Sequence, residues 1–317
     1  MGSEFRLHLK RDSLALTRRF QNREQVNTFA RDGRPISLFD GGHFYQRGLN
    51  NAWLHKGREM SAGGDTRRFR KPLPLADAEA RLHAIHSDLS LMKTSALTAE
   101  AQTAISSILH WTPEQLRHQG ETFSEIYRPI SILPPDQYLS IVLQLTEGCS
   151  YNACHFCNFY KDRPFRIKNT DEFARHLSEV KHFLGDLASL RKGIFLADGD
   201  ALMTPQRRLI AAIGLLRDHW PELPLYSFMD AFRPQAKNLA QWRELQQLSL
   251  KRVYLGLESA DPDLLAFLNK PGSPELMRSE CKKLKAAGLS LGLIFMVGAG
   301  GQNYAQQHFD SMFIAFA

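Results

Sequence analysis

Three of the four cysteines in this 317-residue sequence lie within nine consecutive positions. Cys149, Cys154 and Cys157 follow one another with the spacing C-x4-C-x2-C. Thiolates on one short loop can each bind one iron of a 4Fe–4S cubane, which leaves the fourth iron without a protein ligand. An open coordination position distinguishes a reactive metal centre from a closed structural one. The pattern therefore predicts a 4Fe–4S cluster on these cysteines, with room for a small molecule on the fourth iron.

A structural zinc ion is the alternative for this loop, with His155 as the fourth ligand. His155 directly follows one of the cysteines, and a short loop would struggle to aim both side chains at one ion. Structural zinc also usually draws on a second, distant pair of ligands. The only other cysteine is Cys281, in a predicted helix, and we interpret it as an inert packed thiol. The iron–sulfur interpretation is favoured, and the zinc alternative stays open.

The elements that would position this loop alternate between strand and helix after about residue 136. Five apolar runs predict strands, and they are Ile141–Leu145, Ile194–Ala197, Leu225–Met229, Val253–Leu257 and Leu289–Val297. Strands that alternate with helices indicate right-handed βαβ units and a parallel sheet. We therefore predict an α/β fold, a partial (βα) barrel of parallel strands. In such a fold the functional residues lie at the C-terminal ends of the strands, and the cysteine loop follows the first one.

The residues before the barrel show no pattern that points to chemistry. Residues 1–72 are rich in Arg and Gly without clean periodicity, and we predict a basic, irregular segment. Residues 73–132 are predicted to be helical, with Thr98 and Thr112 as capping residues. Residues 133–317 are predicted to form the partial barrel, which lacks a sixth strand. This organisation assigns the chemistry to the last segment.

The composition limits the class of protein. The chain has 43% hydrophobic and 23% charged residues, as soluble globular proteins do. It has no apolar run of about 18 residues, so no membrane span is expected. Few, clustered cysteines favour a reducing, cytoplasmic location. The net charge of +7 favours an anionic partner such as RNA only weakly.

The segment Thr146–Cys157 resembles the cluster loop of the radical SAM superfamily. Within it, the chain is similar to the large group that includes the elongator-type and oxygen-independent coproporphyrinogen-oxidase-like proteins. The common family spacing is C-x3-C-x2-C, so this loop has one extra residue. The resemblance implies that S-adenosylmethionine fills the open iron position and is cleaved reductively to a 5′-deoxyadenosyl radical. It also implies an electron donor such as flavodoxin or ferredoxin, and it specifies neither the substrate nor the catalytic residues.

The resemblance also implies which residues contact S-adenosylmethionine. Phe156 matches an aromatic position near the adenine, and Asp198–Asp200 matches a turn that receives the methionine ammonium. Gly256–Ser259 matches a strand end that faces the ribose and the methionine carboxylate. Ser227 and Arg233 follow the third strand as cofactor or substrate contacts. The full predicted set is Phe156, Asp198, Gly199, Asp200, Ser227, Arg233, Glu258, Ser259 and Gly298.

Three functions stay open on the sequence alone. A radical SAM enzyme of unknown substrate is favoured. An RNA-modifying radical SAM enzyme is supported only by the basic N-terminal residues. A non-catalytic iron–sulfur or, less favoured, zinc protein is motivated by the missing sixth strand.

Overall fold

A computed structural model describes residues 4–20, 23–61, 64–92, 97–230 and 237–314. The chain divides into two compact units, residues 1–127 with 183–190 and residues 128–182 with 191–317. Within the described ranges, no helix is both long and apolar enough to cross a membrane.

The first unit is built on a seven-stranded antiparallel sheet whose strands pair in chain order. They are β1 (Glu4–Leu9), β2 (Ser13–Phe20), β3 (Arg23–Ala30), β4 (Pro35–Asp40), β5 (His43–Arg47), β6 (Trp53–Met60) and β7 (Thr66–Leu73). Gly41 and Gly42, with φ of +56° and +90°, join β4 to β5. Two successive positive φ values characterise a type I′ hairpin turn, which glycine adopts without strain.

The prediction of an irregular N-terminal segment is therefore wrong. The strands were not recognised because polar residues lie on both faces of β6 and β7, so that polar and apolar positions do not alternate. In β7 the sequence Thr-Arg-Arg-Phe-Arg-Lys-Pro-Leu offers no apolar alternation to recognise. The glycine cluster at Asp40–Gly42, which suggested irregular structure, is a hairpin turn.

Helices complete the first unit. They are α1 (Leu75–Ser90), α2 (Ala99–His110) and α3 (Pro113–Ile126), with a 3-10 turn at Gly185–Leu190. Thr98 and Thr112 cap α2 and α3 as the sequence predicts, and Thr112 forms a capping box with Gln115. The inner sheet face packs on α1 and α2 around Leu14, Leu16, Phe29, Ile85, Leu89, Ala104, Ile105 and Ile108.

The second unit contains a five-stranded sheet in the order β14-β13-β12-β11-β8, and every neighbouring pair is parallel. Its strands are β8 (Ser140–Gln144), β11 (Gly193–Ala197), β12 (Leu225–Met229), β13 (Leu250–Glu258) and β14 (Ser290–Phe295). A short antiparallel pair, β9 (Thr146–Glu147) with β10 (Arg166–Ile167), brackets the cysteine loop. The predicted parallel partial barrel is confirmed. The described residues of this unit contain no sixth parallel strand.

Helices connect these strands. They are α4 (Thr170–Leu184), α5 (Gln206–His219), α6 (Leu239–Gln247), α7 (Pro262–Phe267), α8 (Pro274–Ala286) and α9 (Ala305–Ile314). β8 and β11 are buried on both faces, and Leu143 and Phe195 are fully buried. Burial on both faces explains why these strands are continuous apolar runs in the sequence.

Candidate functional site

The cysteine loop is closed at its base by the β9–β10 pair. Arg166 donates two hydrogen bonds of 2.8 Å to the carboxylate of Glu147, and Lys168 Nζ lies 3.3 Å from Glu147 Oε1. Burial alone would raise the pKa of Glu147, but the hydrogen bonds from Arg166 and the charge of Lys168 bring it below its ordinary value. These contacts hold together the two ends of the segment that carries the three cysteines.

Backbone contacts within the loop bring the thiols into one region. The backbone N–H of Asn152 donates to Cys149 Sγ over 3.4 Å, and that of Cys157 donates to the carbonyl of Cys154 over 3.4 Å. Burial, opposed by Lys270 and reinforced by Asp230 and the Cys149 and Cys157 thiols, raises the pKa of Cys154 to about 11. The three predicted ligands are therefore electrostatic neighbours.

The donor set consists of three thiols, which fit the irons of a cluster. Among the described residues, no three His, Cys, Asp or Glu side chains converge as ligands of one metal ion. A cubane requires less convergence, because each thiolate binds a different iron. Three sulfur donors on one loop, without carboxylates between them, form the soft set that iron–sulfur clusters use.

His155 anchors the loop to the end of α7. Its Nδ1–H donates to the carbonyl of Phe267 over 3.0 Å, and its backbone N–H donates to the carbonyl of Leu268 over 3.0 Å. Asn269 Nδ2 donates to the carbonyl of Ala153 over 2.8 Å. These contacts fix the position of the loop and the orientation of the His155 ring, as a carbonyl acceptor does for structural and metal-bound histidines alike.

The turn after β11 is bonded to the same loop. The Asp198 carboxylate accepts from Arg163 Nη2 over 3.2 Å and from the backbone N–H of Gly148 over 3.4 Å. Burial raises the pKa of Asp198 against the lowering effect of Arg163. A Cβ on Gly199 would lie 2.8 Å from the Tyr160 ring, so only glycine permits this approach. The turn therefore packs directly beneath the cysteine loop.

Asp200 is fully buried beside the first cysteine. Its Oδ2 accepts a hydrogen bond of 2.6 Å from Ser150 Oγ. Lys237, which sequence reasoning missed, interacts with this carboxylate and donates to the carbonyl of Thr204 over 3.0 Å. Burial lowers the pKa of Lys237 to about 8, opposed by the charge of Asp200. Asp198 and Asp200 thus both support the loop.

A second group of charges lies at the end of β13. Lys270 Nζ lies 2.6 Å from Asp230 Oδ1 and 3.9 Å from Glu258 Oε1. Burial raises the pKa of Glu258, although Lys270 opposes the rise. Burial would lower the pKa of Lys270, but the charges of Asp230 and Glu258 hold it above its ordinary value. The sequence predicted Glu258 and missed both of its charged neighbours.

The charge group of Asp230, Glu258 and Lys270 interacts electrostatically with the cysteine loop. The positive charge of Lys270 acts to lower the pKa of the Cys154 thiol against the effect of burial. Gly256 makes room for the group, since a Cβ there would lie 2.8 Å from Glu258 Oε1. Asp230 directly follows β12, and this position at the C-terminal strand edge is the signal that could have identified it.

The remaining predicted residues lie in different surroundings. Ser227 is fully buried, and its hydroxyl donates to the carbonyl of Leu196 over 2.7 Å. Ser259 is also fully buried, 2.9 Å from His308 Nδ1. Phe156 is 36% exposed, and Gly298 has a φ of +82° with open space around it. Arg233 lies outside the described residues. Among the described members of this group, Phe156 and Gly298 are open to a ligand.

Comparison with known proteins gives one family. The family model described as Radical SAM superfamily matches residues 143–312. No curated protein matches the chain.

Several solved structures are similar to part of this chain. The cobalamin-dependent S-adenosylmethionine radical enzyme OxsB is 14% identical, with 80% of this chain and 31% of that chain covered and a TM-score of 0.45. Methylornithine synthase (PylB) is 14% identical, with 56% and 51% covered and a TM-score of 0.43. Coproporphyrinogen III oxidase (HemN) from Escherichia coli is 13% identical, with 62% and 45% covered and a TM-score of 0.43. The chain spans roughly a third to a half of the length of these proteins.

Proposed function

Since this chain belongs to the radical SAM superfamily, we propose that it binds one 4Fe–4S cluster on Cys149, Cys154 and Cys157 and cleaves S-adenosylmethionine to a 5′-deoxyadenosyl radical. The observation that supports this most is the loop of three thiols tied to the turn after the second parallel strand through Asp198 and Asp200. When bound, the cluster supplies the electron that breaks a carbon–sulfur bond of the sulfonium.

The protein residues would hold and orient these groups. We propose that the cysteines bind three irons and that the fourth iron receives the amino and carboxylate groups of S-adenosylmethionine. Phe156, Glu258 and Gly298 are our candidates for direct contact with the cofactor, because they are less enclosed than the other predicted residues. Asp198, Gly199, Asp200, Ser227 and Ser259 are proposed to act by positioning, since contacts within the protein already engage them.

The branch of the superfamily is a further part of the proposal. The Gly-Leu-Glu-Ser segment Gly256–Ser259 and the cysteine loop support the elongator-type and coproporphyrinogen-oxidase-like branch. Radical SAM enzymes need an electron donor, and we propose a flavodoxin or a ferredoxin. No substrate is assigned.

Anaerobic reconstitution with iron and sulfide tests the catalytic proposal. After dithionite reduction, the chain is expected to convert S-adenosylmethionine to 5′-deoxyadenosine and methionine without added substrate, measured by liquid chromatography and mass spectrometry. The Cys157→Ala variant, treated identically, is the control and should yield none. Zinc uptake in place of iron would favour the zinc alternative. A bound cluster without 5′-deoxyadenosine would favour a non-catalytic iron–sulfur protein.

A further inference from the structure

The antiparallel sheet of the first unit gathers cations on its outer face. Lys56 on β6 pairs with Arg70 on β7, and Arg58 pairs with Arg68. Side chains alternate between the two faces of a strand, so all four cations point to the same side. The cross-sheet row Thr17–Val26–Phe39–Phe44–Lys56–Arg70 follows from successive registers. The core residues Leu14 and Leu16 alternate onto the other side, so this face is the outer one.

These like charges face one another on the neighbouring strands β6 and β7. Like charges directly opposite each other on neighbouring strands are destabilising. None of the residues that β5, β6 and β7 place on this face is acidic. Burial and the charge of Arg70 together lower the pKa of Lys56. The face therefore has a concentrated positive potential that carboxylates of these strands do not neutralise.

Two aromatic rings lie next to these cations on the same face of the sheet. Lys56 Nζ lies 5.6 Å from the centre of the Phe44 ring, and Phe39 is paired with Phe44 on the next strand. Phe39 is 42% exposed and, together with the partly buried Phe44, adds apolar ring surface directly beside the cations. An open groove of about 540 Å³ adjoins Phe44, Lys56, Arg58 and Arg68. Flat exposed rings beside cations are the surface on which unpaired bases stack and phosphates bind.

Protection of an exposed sheet edge explains only part of this arrangement. β7 is an edge strand, and cations on an edge discourage pairing with another chain. Lys56 and Arg58, however, lie on β6, which has paired neighbours on both sides. Exposure of Phe39 would also increase the risk of aggregation. A bound partner accounts both for the cations on β6 and for the exposed Phe39 ring, whereas edge protection accounts for neither.

We propose that this outer face, defined by Phe39, Phe44, Lys56, Arg58, Arg68 and Arg70, binds a single-stranded RNA segment. The cations would contact phosphates and the two rings would stack with bases. Ser37, paired with Gln46 on the same face, offers a hydroxyl for ribose 2′-hydroxyls, while Gln46 Oε1 accepts a hydrogen bond of 2.8 Å from Lys56 Nζ. The proposal rests on the first unit alone and does not depend on the proposed cluster chemistry.

Fluorescence anisotropy tests the proposal. The whole chain is titrated into a labelled single-stranded RNA of mixed sequence and about 12 nucleotides, a length within the range of known single-strand sites. The double variant Arg68→Gln/Arg70→Gln should weaken binding at least about tenfold and lower the slope of log K against log salt by about 1.4. Arg67→Gln/Lys71→Gln is the matched control: it removes the same charge from the same strand but on the opposite face. It should change the affinity by less than about twofold.

The Phe39→Ala variant separates stacking from charge. It should weaken RNA binding about fivefold or more with an unchanged salt slope, because one stacked base is lost. Circular dichroism melts of each variant check that the fold is intact. Equal losses in the two double variants would overturn the proposal. So would full competition by duplex RNA, by single-stranded DNA of the same sequence or by phosphatidylglycerol vesicles.

Discussion

Ser150 Oγ donates a hydrogen bond of 2.6 Å to the buried carboxylate of Asp200 and so joins the residue after the first cysteine to the end of the second parallel strand. Asp198, two residues earlier, accepts from the backbone N–H of Gly148, the residue before that cysteine. The two carboxylates therefore bind the residues that precede and follow Cys149 in the sequence. The strand-end turn thereby acts as a support for the proposed cluster.

The first prediction concerns this support. Asp200→Ala leaves Ser150 without its acceptor and is expected to destabilise the loop by about 1–3 kcal/mol. The reconstituted protein should then lose iron to a chelator faster than the wild type, as followed by absorbance near the cluster band. Asp200→Asn keeps an oxygen acceptor and should retain iron nearly as well. Equal iron loss in both variants would contradict a positioning role for this carboxylate.

The second prediction concerns the ligands. Replacing any of Cys149, Cys154 or Cys157 by Ala should reduce the iron content after anaerobic reconstitution far below the about four irons per chain expected for a cubane. Cys281→Ala is the matched control, because Cys281 lies buried on α8, away from the loop in sequence. It should leave the iron content unchanged. Loss of iron in the Cys281 variant would show that the ligand set was assigned incorrectly.

The parallel sheet was predictable in large part because β8 and β11 are buried on both faces and so form continuous apolar runs. Val253–Leu257 shows as an apolar run, although β13 begins earlier, at Leu250. Lys251 and Arg252 interrupt the run at that end, where side chains reach solvent. The cysteine loop was predictable since its ligands are close together in the sequence.

Contacts between distant residues were not predictable from the pattern. The Lys270–Asp230 ion pair joins residues 40 positions apart. It depends on the turn at the end of α7, where Asn269 has a φ of +50° and Lys270 follows it.

The N-terminal sheet was missed for a different reason. In β7, Arg67 and Lys71 lie on the face opposite Arg68, so polar and apolar residues do not alternate as they do in a half-buried strand.

The third prediction concerns the space that Gly256 leaves. Gly256→Ala places a Cβ within 2.8 Å of Glu258 Oε1, so the end of this buried side chain must shift beside Lys270. We expect a loss of about 1–3 kcal/mol in the free energy of unfolding, measured by urea titration. Gly214→Ala, on α5 with open space around the added methyl group, is the control. It should be neutral or stabilising by up to about 1 kcal/mol. A neutral Gly256→Ala would mean that the charge group tolerates rearrangement.

The fourth prediction concerns pH and the buried charges around Lys270. Lys270→Met leaves Asp230 and Glu258 without their cation and should cost about 3–5 kcal/mol at pH 8 in the metal-free chain. The pKa of Glu258 is already raised by burial, and Lys270 opposes this rise, so the variant should raise it further. A raised pKa means that folding favours the protonated acid. Its contribution is present at low pH and is lost as pH rises through the raised pKa.

The cost of Lys270→Met should therefore be smaller at pH 5 than at pH 8, because protonation of Glu258 removes part of the uncompensated charge. Urea titrations of the wild type and the variant at both pH values measure the difference. Arg252→Met is the control, because the ion pair of Arg252 with Asp136 is 40% and 45% exposed. That variant should lose less than about 1 kcal/mol with little dependence on pH. An equal cost of Lys270→Met at the two pH values would show that Glu258 stays ionised without Lys270, and that the cation does not control its charge.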